Sequence, residues 1–571
     1  MRFAGIDTQY NAACRMRDGT TLYADIYRPP GPGPHPVLLM RQPYGKALAS
    51  TVTYAHPVWF AQQGFIVVIQ DVRGRGASEG QFEPFVQEAD DGYDTVEWAA
   101  ALPGSNGKVG MYGFSYQGST QWAAASVRPP HLAAIAPGMC AADLYHGMFY
   151  PHGRFAVGSF LPWAFQLARD TARREGDGEA EAICTQMMRQ PDALLWQLPV
   201  TKEHPVLAKY FPTYYDWCSH PVYDDYWARR NWLDDVCEAQ IPALHIGGWF
   251  DNYLLGTLQS FEAVRAANRD PDASHRLIVG PWAHIPWGRR AGGRDYGPHA
   301  TGRLHEEHVR WFNYWLKGEG EPPNRRPAVR YFETGSNRWA AADDMALLGT
   351  SDGAARERWY LATAGHPANG ASGGGRLSET PPGTDDPAGA DVFVYDARLP
   401  MPCGSYLPED RSGLEDRYEI LNFTGGPLGR SIHAAGAPRV TLRCQVAGGP
   451  SDVVAILTLV GADGSSRFLS IGRAEVPEEE AGEDGALLQI PMWPFAAALP
   501  EGASIRLELT GSAFPLFLRH PNRMPEERIP GAGPEHLHMA TIAVLHDPAA
   551  PAFVELPVRE PEYEPEYETN E

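Results

Sequence analysis

A serine flanked by glycines is the strongest chemical signal in the chain. Ser115 lies in the segment Gly113-Phe-Ser-Tyr-Gln-Gly118, directly after a predicted strand at residues 109–112 and directly before a predicted helix. A nucleophile elbow needs this strand–turn–helix context, because a strained turn there lifts the serine hydroxyl above the sheet. The usual pattern is G-x-S-x-G, but Gln117 stands in place of the second glycine, which follows one residue later as Gly118. A chance turn is the alternative interpretation, and the surrounding strand and helix favour the nucleophile.

A serine hydroxyl becomes a nucleophile at neutral pH only when a base takes its proton and an acid orients that base. Two later strand ends offer these groups. Asp251 follows a predicted strand at residues 241–247, and His284 follows another at residues 276–280. Taken singly, a loop-capping carboxylate and a structural loop histidine are the alternative interpretations. Because the order Ser…Asp…His on successive strand ends is typical of α/β hydrolases, we predict a triad of Ser115, Asp251 and His284.

Two further motifs suggest other chemistry but are better explained as structure. His305-Glu-Glu-His308 is similar to a zinc motif, but HExxH places its histidines four residues apart and these are three apart. We expect a solvent-exposed helix face there. The glycine-rich segment 71–80 follows a strand, but it has neither the GxGxxG spacing nor the Lys-Ser/Thr pair of a P-loop. We expect a tight loop in which Asp71 and Arg73 form ion pairs, and no metal site.

Composition excludes several classes of function. The chain has 571 residues, of which 43% are hydrophobic and 21% charged, as in a globular protein of several domains. Its formal net charge of −22 repels nucleic acid and anionic membrane surfaces. The seven cysteines are scattered and form no CxxC pair, so neither a disulfide framework nor a zinc cluster is predicted. No signal-peptide pattern or membrane-spanning apolar run is evident, and the expected location is the reducing cytoplasm.

The first part of the chain has the rhythm of a doubly wound sheet. Residues 36–41, 64–71 and 108–113 are short apolar runs, as expected of buried parallel strands. Helical patterns at 87–101 and 115–126 alternate with them. This alternation predicts an α/β fold with right-handed crossovers.

Changes of sequence texture predict the domain boundaries. The α/β domain occupies residues 1–142 and resumes at 241–325, and residues 143–240 between them form an inserted helical cap. Short alternating strands with Gly, Pro and Asp turns predict an all-β jelly-roll domain at 326–558. Within it, residues 365–390 are predicted to be a mobile loop. The acidic, proline-punctuated residues 559–571 are predicted to be a disordered tail.

A series of motifs runs along nearly the whole chain. They are Arg41-Gln-Pro-Tyr-Gly-Lys46, Gln70-Asp-Val-Arg-Gly-Arg-Gly-Ala-Ser-Glu-Gly80, Gly113-Phe-Ser-Tyr-Gln-Gly118, Ala142-Asp-Leu-Tyr145, His220-Pro-Val-Tyr-Asp-Asp-Tyr-Trp227, Gly248-Trp-Phe-Asp251, Gly280-Pro-Trp-Ala-His284, Tyr395-Asp396, Asp410-Arg411 and Ser512-Ala-Phe-Pro515. In this order they resemble the serine hydrolases grouped with bacterial cocaine esterase, X-prolyl dipeptidyl aminopeptidase and α-amino-acid ester hydrolase. The resemblance implies an α/β-hydrolase domain, an inserted helical cap and a C-terminal jelly roll.

The resemblance also implies site residues that spacing does not reveal. Tyr44 and Tyr116 match an oxyanion hole, formed by the Tyr44 hydroxyl and the Tyr116 backbone amide, in which two donors stabilise the developing alkoxide. Phe149, Trp163 and Tyr253 match the lining of an acyl pocket for a flat or bulky apolar group. Plain packing of the cap on the core is the alternative for these three residues.

One departure from the family concerns the substrate. The α-amino-acid ester hydrolases place acidic residues just after the catalytic aspartate to hold a substrate ammonium group. In this chain Asn252, Tyr253 and Leu254 follow Asp251, and none of them is acidic. The departure argues against amino-acid ester or β-lactam substrates.

Together these features predict a serine esterase that uses neither metal nor cofactor and acts on a small-molecule carboxylic ester, with amides as an alternative. An X-prolyl dipeptidyl peptidase and an α-amino-acid ester hydrolase or acylase are the enzymatic alternatives. A non-catalytic binding protein is the alternative from a different class. No nucleic-acid or membrane partner is expected, and assembly as a homo-oligomer is left open.

Overall fold

The catalytic sheet forms where the sequence has short apolar runs. The computed structural model describes residues 5–270, 274–342, 355–383, 388–477, 485–524 and 533–565. Strand Ile66–Asp71 is buried at every position, and His35–Gln42 is buried at all but its first. Strands that are buried on both faces belong to a sheet with helices on each side. The predicted α/β-hydrolase fold is confirmed.

The sheet is mixed, with parallel strands at its centre. Strands β1 to β12 are Asp7–Arg15, Thr21–Arg28, His35–Gln42, Ile66–Asp71, Ser105–Phe114, Leu132–Gly138, Ala243–Phe250, His275–Ala283, Arg290–Ala291, Arg294–Asp295, Val329–Glu333 and Arg338–Ala342. Their order in the sheet is β1-β2-β4-β3-β5-β6-β7-β8-β11-β12, with β9 and β10 forming a separate hairpin. Strands β3 to β8 pair in parallel, which brings the carboxyl ends of β5, β7 and β8 to one edge.

Helices cover both faces of the sheet and form a cap. Helices α1 to α12 are Pro57–Gln62, Glu88–Ala100, Tyr116–Ser126, Val157–Arg174, Gly178–Arg189, Asp192–Leu195, Pro205–Tyr210, Thr213–Ser219, Asp225–Ala228, Leu233–Ala239, Leu254–Ala267 and Leu304–Phe312. Short 3₁₀ or π turns lie at Ala49–Thr51, Tyr145–Phe149, Pro151–Gly153, Pro298–Thr301, Asn313–Lys317, Pro323–Arg325 and Pro534–His536. Helices α4 to α10 lie between β6 and β7, inside the segment 143–240 where the sequence predicts a cap. No helix in the described ranges is long and apolar enough to cross a membrane.

The cap and the α/β domain share one hydrophobic core. Buried Trp217 and Phe160 of the cap belong to the same packed cluster as Val68 and Met111 of the sheet. A cap anchored in this way is packed onto the α/β domain as a fixed layer, and α4 is its longest helix.

The second half of the chain is a β domain. Strands β13 to β28 are Arg356–Thr363, Gly375–Ser378, Gly389–Asp396, Pro402–Cys403, Leu421–Gly425, Ile432–Gly436, Arg439–Ala447, Ser451–Val460, Ser466–Val476, Ala486–Pro491, Phe495–Leu499, Ser504–Thr510, Phe514–Pro515, Met539–His546, Phe553–Pro557 and Glu562–Tyr563. Most of them pair antiparallel around a second core of alternating apolar side chains, as expected of the predicted jelly-roll class.

Three sequence predictions at the domain borders need correction. Strands β11 and β12 lie beyond the predicted border at 326, but they extend the catalytic sheet, with β11 parallel to β8. Strand β14 lies inside the predicted mobile loop 365–390, of which residues 384–387 fall outside the described part. Strand β28 pairs with β12, and Glu564 binds Arg330 at 2.8 Å. The prediction of a disordered tail is therefore wrong for residues 559–565, and residues 566–571 lie outside the described ranges.

Candidate active site

Ser115 occupies a strained turn between β5 and α3. Its backbone has φ 59° and ψ −127°, a region that non-glycine residues rarely adopt. The turn requires small neighbours, because a Cβ on Gly113 would lie 2.5 Å from the Gln117 Cβ, and one on Gly118 would lie 2.4 Å from the Cys140 Sγ. Gly118 therefore permits the close approach of α3 to the chain after β6. Gln117, in place of the usual glycine, leaves the elbow intact.

The three predicted triad residues meet at the carboxyl ends of β5, β7 and β8. The Ser115 Oγ lies 3.0 Å from the His284 Nε2, and the His284 Nδ1 lies 2.7 Å from the Asp251 Oδ1. Asp251 is fully buried, while 27% of the His284 side chain is exposed. With this geometry the serine hydroxyl can donate to the imidazole, whose other N–H donates to the carboxylate. The arrangement is suited to proton transfer from the serine.

The two predicted oxyanion-hole residues line the same cavity as Ser115. The Tyr116 amide is the first N–H of α3, and the first N–H groups of a helix have no acceptor within that helix. The Tyr44 hydroxyl accepts a hydrogen bond from the Trp163 Nε1 at 3.1 Å. Burial raises the pKa of Tyr44 to about 12, against the opposing effects of hydrogen bonds with Trp163 and Ser115. The Tyr44 hydroxyl therefore stays protonated at neutral pH and can donate a hydrogen bond.

The loop that carries Tyr44 is held by its backbone. The Tyr44 amide donates to the Gln42 Oε1 at 3.0 Å, and the Lys46 amide donates to the Asp71 Oδ1 at 2.8 Å. The Lys46 ammonium binds the Asp71 Oδ2 at 3.0 Å. Asp71 thus forms an ion pair, as predicted, and as the last residue of β4 it holds the loop after β3.

The side chain of Tyr116 is held by a buried polar network. The Tyr116 hydroxyl donates to the Glu88 Oε1 at 2.7 Å and accepts from the Phe85 amide at 3.1 Å. The Glu88 Oε2 binds the Arg41 guanidinium at 2.8 Å. Burial raises the pKa of Glu88, against the opposing effect of the Arg41 charge. Since a buried ion pair is costly to break, this network keeps the start of α3 in place.

A cavity of about 470 Å³ opens above Ser115. Its lining residues are Tyr44, Leu48, Ala49, Val52, Phe85, Phe114, Ser115, Tyr116, Gln117, Met148, Ser159, Phe160, Pro162, Trp163, Gln166, Met188, Asn252, Tyr253, His284 and Ile285. None of these described residues is a lysine, arginine, aspartate or glutamate. The cavity is therefore apolar and aromatic around a small number of neutral polar groups, a character typical of small-molecule sites.

The structure brings two of the three predicted acyl-pocket residues to this cavity. Trp163 and Tyr253 line it, and the Tyr253 ring meets the His284 ring edge-on at 4.9 Å between centroids. Phe149 is fully buried and stacks on Phe160 at 3.7 Å. Phe160 occupies the place on the wall that the prediction gave to Phe149, which lies behind it. Sequence spacing gave no signal for this exchange, because both rings lie in the cap.

The other motifs have structural roles. His308 is fully buried, its Nδ1 lies 2.7 Å from the Leu304 carbonyl, and burial lowers its pKa to about 4. The prediction of a solvent-exposed helix face is therefore wrong at His308. Arg73 pairs with Asp91 at 2.6 Å and Asp18 at 2.7 Å, as the ion-pair prediction expected.

A group of ligand-type side chains between the cap and the β domain is an ion-pair network. Asp452, Glu475 and His520 lie close together. The carboxylates of Asp452 and Glu475 accept from the Arg154 guanidinium at 2.9 and 2.8 Å, and Arg473 binds Asp452 at 2.7 Å. The network joins the cap, through Arg154, to the β domain. Because two guanidinium groups occupy the carboxylate oxygens, it is unsuited to a metal ion.

These features define a serine hydrolase of the α/β-hydrolase class. The serine lies in a strained turn after a central strand, the histidine and the carboxylate follow later strands, and a cap lies above them. Comparison with known proteins narrows this class. A family model described as X-Pro dipeptidyl-peptidase (S15 family) matches residues 18–286, and one described as X-Pro dipeptidyl-peptidase C-terminal non-catalytic domain matches residues 324–555. The chain belongs to the cocaine esterase and X-Pro dipeptidyl-peptidase (S15) family.

Individual relatives agree with this placement. Cocaine esterase of Rhodococcus sp. (strain MB1 Bresler) is 31% identical over 588 residues, covering 97% of this chain and 99% of that protein. An aminopeptidase from a marine sediment archaeon, Thaumarchaeota archaeon, superposes with a TM-score of 0.79 at 21% identity, over 97% of both chains. An α-amino acid ester hydrolase superposes with a TM-score of 0.78 at 22% identity, over 97% of both chains. The two structural similarities establish the fold alone.

Proposed function

We propose that Ser115 is the nucleophile of a serine hydrolase that cleaves a carboxylic ester through an acyl-enzyme. The family and its cocaine esterase relative make the chain a serine hydrolase acting on ester bonds. The assignment of residues rests on one observation, the hydrogen-bonded series from Ser115 through His284 to Asp251, with separations of 3.0 and 2.7 Å.

In the proposed reaction, His284 takes the proton of Ser115 as the serine oxygen attacks the ester carbonyl carbon. Asp251 holds the imidazole in the required tautomer and stabilises its positive charge. The Tyr44 hydroxyl and the Tyr116 amide donate to the oxyanion of the tetrahedral intermediate. The imidazolium then protonates the leaving alcohol, and a water molecule, deprotonated by His284, attacks the acyl-enzyme. The carboxylic acid leaves, and Ser115 regains its proton.

The character of the cavity supports a small, uncharged ester as the substrate. An apolar wall that includes Phe160, Trp163 and Tyr253 favours a flat or bulky apolar acyl group. A dipeptidyl peptidase needs a group that holds a peptide ammonium, such as a carboxylate. Among the described lining residues the cavity offers no carboxylate, so the peptidase and amino-acid ester hydrolase alternatives are less well supported.

The test combines turnover and labelling. We expect the wild-type protein to hydrolyse p-nitrophenyl esters and to form an adduct with a fluorophosphonate probe at Ser115, and the Ser115→Ala variant to do neither. Comparison with Gly-Pro-p-nitroanilide distinguishes the esterase from the peptidase. No adduct and no turnover would favour the binding-protein alternative.

The proposed location is a reducing compartment such as the cytoplasm. All seven cysteines are free thiols, and this supports the proposal because oxidising compartments favour disulfides.

A further inference from the structure

A helix of the cap makes a polar contact with the machinery around Ser115. Trp163 on α4 donates from its indole Nε1 to the hydroxyl oxygen of Tyr44, at 3.1 Å. An indole N–H is a donor with no acceptor capacity, so the direction of this bond is settled by chemistry. The hydroxyl proton of Tyr44 must therefore point away from Trp163.

We propose that Trp163 is a positioning residue of the oxyanion hole, which holds the Tyr44 hydroxyl so that its proton is directed toward the carbonyl oxygen of the substrate. The proposal rests on the proposed esterase function. It assigns Trp163 a task beyond that of an apolar wall, because the one polar atom of its side chain is engaged by Tyr44.

The contacts of the Tyr44 loop do not fix the orientation of the Tyr44 hydroxyl. The loop is held through backbone amides, by Gln42 at residue 44 and by Asp71 at residue 46. These bonds place the ring but do not determine where the phenolic O–H points, since a hydroxyl rotates about its C–O bond. The indole N–H of Trp163 occupies one side of the Tyr44 oxygen, so the hydroxyl proton does not point in that direction. Tyr44 lines the same cavity as Ser115, the group beside which an oxyanion forms.

Trp163 is itself rigidly placed. Its ring stacks on Trp217 at 5.3 Å between centroids and 4° between planes, and Trp217 is fully buried. Phe160, one turn earlier on α4, packs against the same ring at 5.9 Å with a T-shaped geometry. A donor held in this way loses little entropy when it binds, so it is suited to preorganise a catalytic group.

Two further hydrogen bonds join α4 to nearby loops. Ser159 accepts from the Asn252 side chain at 2.8 Å, and the Leu167 carbonyl accepts from Arg75 at 2.9 Å. Asn252 follows the triad acid, and Arg75 lies in the loop of Asp71. The bonds to Tyr44 and Asn252 therefore join α4 to the loops that carry Tyr44 and Asp251.

A double-mutant cycle tests the proposal. We expect Trp163→Phe to lower kcat for p-nitrophenyl acetate about tenfold, the effect of one lost hydrogen bond, with KM changed less than about twofold. In the Tyr44→Phe background the same substitution should change kcat less than about twofold, because the acceptor is already gone. The small acetyl group minimises the effect of lost ring area. Trp196→Phe, which removes an indole from the cap outside the cavity, is the matched control and should leave kcat unchanged.

A second variant tests whether the effect of Trp163→Phe comes from repacking around the smaller ring. Replacing Trp163 by benzothienylalanine keeps the shape of the ring and removes only the N–H, and it should reproduce the loss seen with Trp163→Phe. An equal loss from Trp163→Phe in both Tyr44 backgrounds would overturn the proposal, as would full activity of the benzothienylalanine protein.

A spectroscopic measurement separates this inference from the esterase assignment. In protein labelled with ¹⁵N-indole tryptophan, the Trp163 Nε1–H resonance should lie downfield and move upfield in Tyr44→Phe. If the wild-type protein turns over no ester, the proposed function fails. The resonance shift still shows whether Trp163 donates a hydrogen bond to Tyr44. An indole resonance that is unaffected by Tyr44→Phe would overturn the inference.

Discussion

The carboxylate of Asp71 binds Lys46 twice, since its Oδ1 accepts the backbone amide at 2.8 Å and its Oδ2 binds the ammonium group at 3.0 Å. Both side chains are more than nine-tenths buried. The Ala77 amide also donates to the Asp71 Oδ2, at 3.0 Å. One buried carboxylate thus joins two loops, and Tyr44, the proposed oxyanion donor, lies on one of them.

We expect Asp71→Asn to impair the active site from a distance. The variant leaves the buried Lys46 ammonium without its nearest partner and should destabilise the protein by about 3 kcal/mol. Looser placement of the Tyr44 loop should lower kcat for p-nitrophenyl acetate about tenfold with little change in KM. Calorimetry and steady-state kinetics measure the two effects. Asp90→Asn, at an exposed ion pair with Arg17, is the control and should leave Tm and kcat unchanged.

Tyr44→Phe tests the oxyanion hole directly. Removal of one donor to the tetrahedral intermediate should lower kcat about 10²–10³-fold, because such a donor acts mainly in the transition state. KM should change little, and fluorophosphonate labelling of Ser115 should persist at a reduced rate. A variant that keeps more than half of the wild-type kcat would exclude the Tyr44 hydroxyl from the oxyanion hole.

Phe160 lines the cavity wall where the sequence predicted Phe149. Substitutions of these two residues should therefore differ in their effect on acyl-group selectivity. Phe160→Leu should change the ratio of kcat/KM between p-nitrophenyl benzoate and p-nitrophenyl acetate about tenfold, the typical range for a change in an apolar pocket. Phe149→Leu should leave that ratio within about twofold, since Phe149 lies behind the wall, and should cost about 1–3 kcal/mol of stability because it shrinks a fully buried ring. Equal shifts from both variants would contradict the placement of Phe160 on the wall.

The ion-pair network between cap and β domain predicts a loss of stability in acid. Burial opposes ionisation of Asp452, but the charges of Arg154 and Arg473, with a smaller effect of His520, lower its pKa from 3.8 to about 2. A carboxyl group with a lowered folded-state pKa stabilises the fold above its unfolded pKa and loses that contribution as pH falls. Tm should therefore fall between about pH 4 and pH 2. Asp452→Asn should lower Tm at pH 7 and flatten this dependence; a wild-type slope retained in Asp452→Asn would exclude Asp452 as its source.

Much of the chemistry follows from local sequence. A strained elbow requires small residues at Gly113 and Gly118, and strand patterns before Asp251 and His284 place those side chains at the carboxyl ends of parallel strands. Because the carboxyl ends of adjacent parallel strands meet at one edge, order along the chain was sufficient to predict that the triad converges. Tyr44 and Tyr116 came from the family motifs and not from spacing.

Other features depended on contacts between segments that are distant in sequence. The choice of Phe160 over Phe149 for the cavity wall depends on how the cap helices pack, and both rings are equally apolar in sequence. The acidic tail has the composition of a disordered segment, yet residues 562–563 pair with β12 and Glu564 meets Arg330. Short-range pattern was sufficient to predict the three proposed triad residues, since strand and turn preferences are local. Tertiary structure decided what surrounds them, because burial and pairing depend on the partner that the fold brings near.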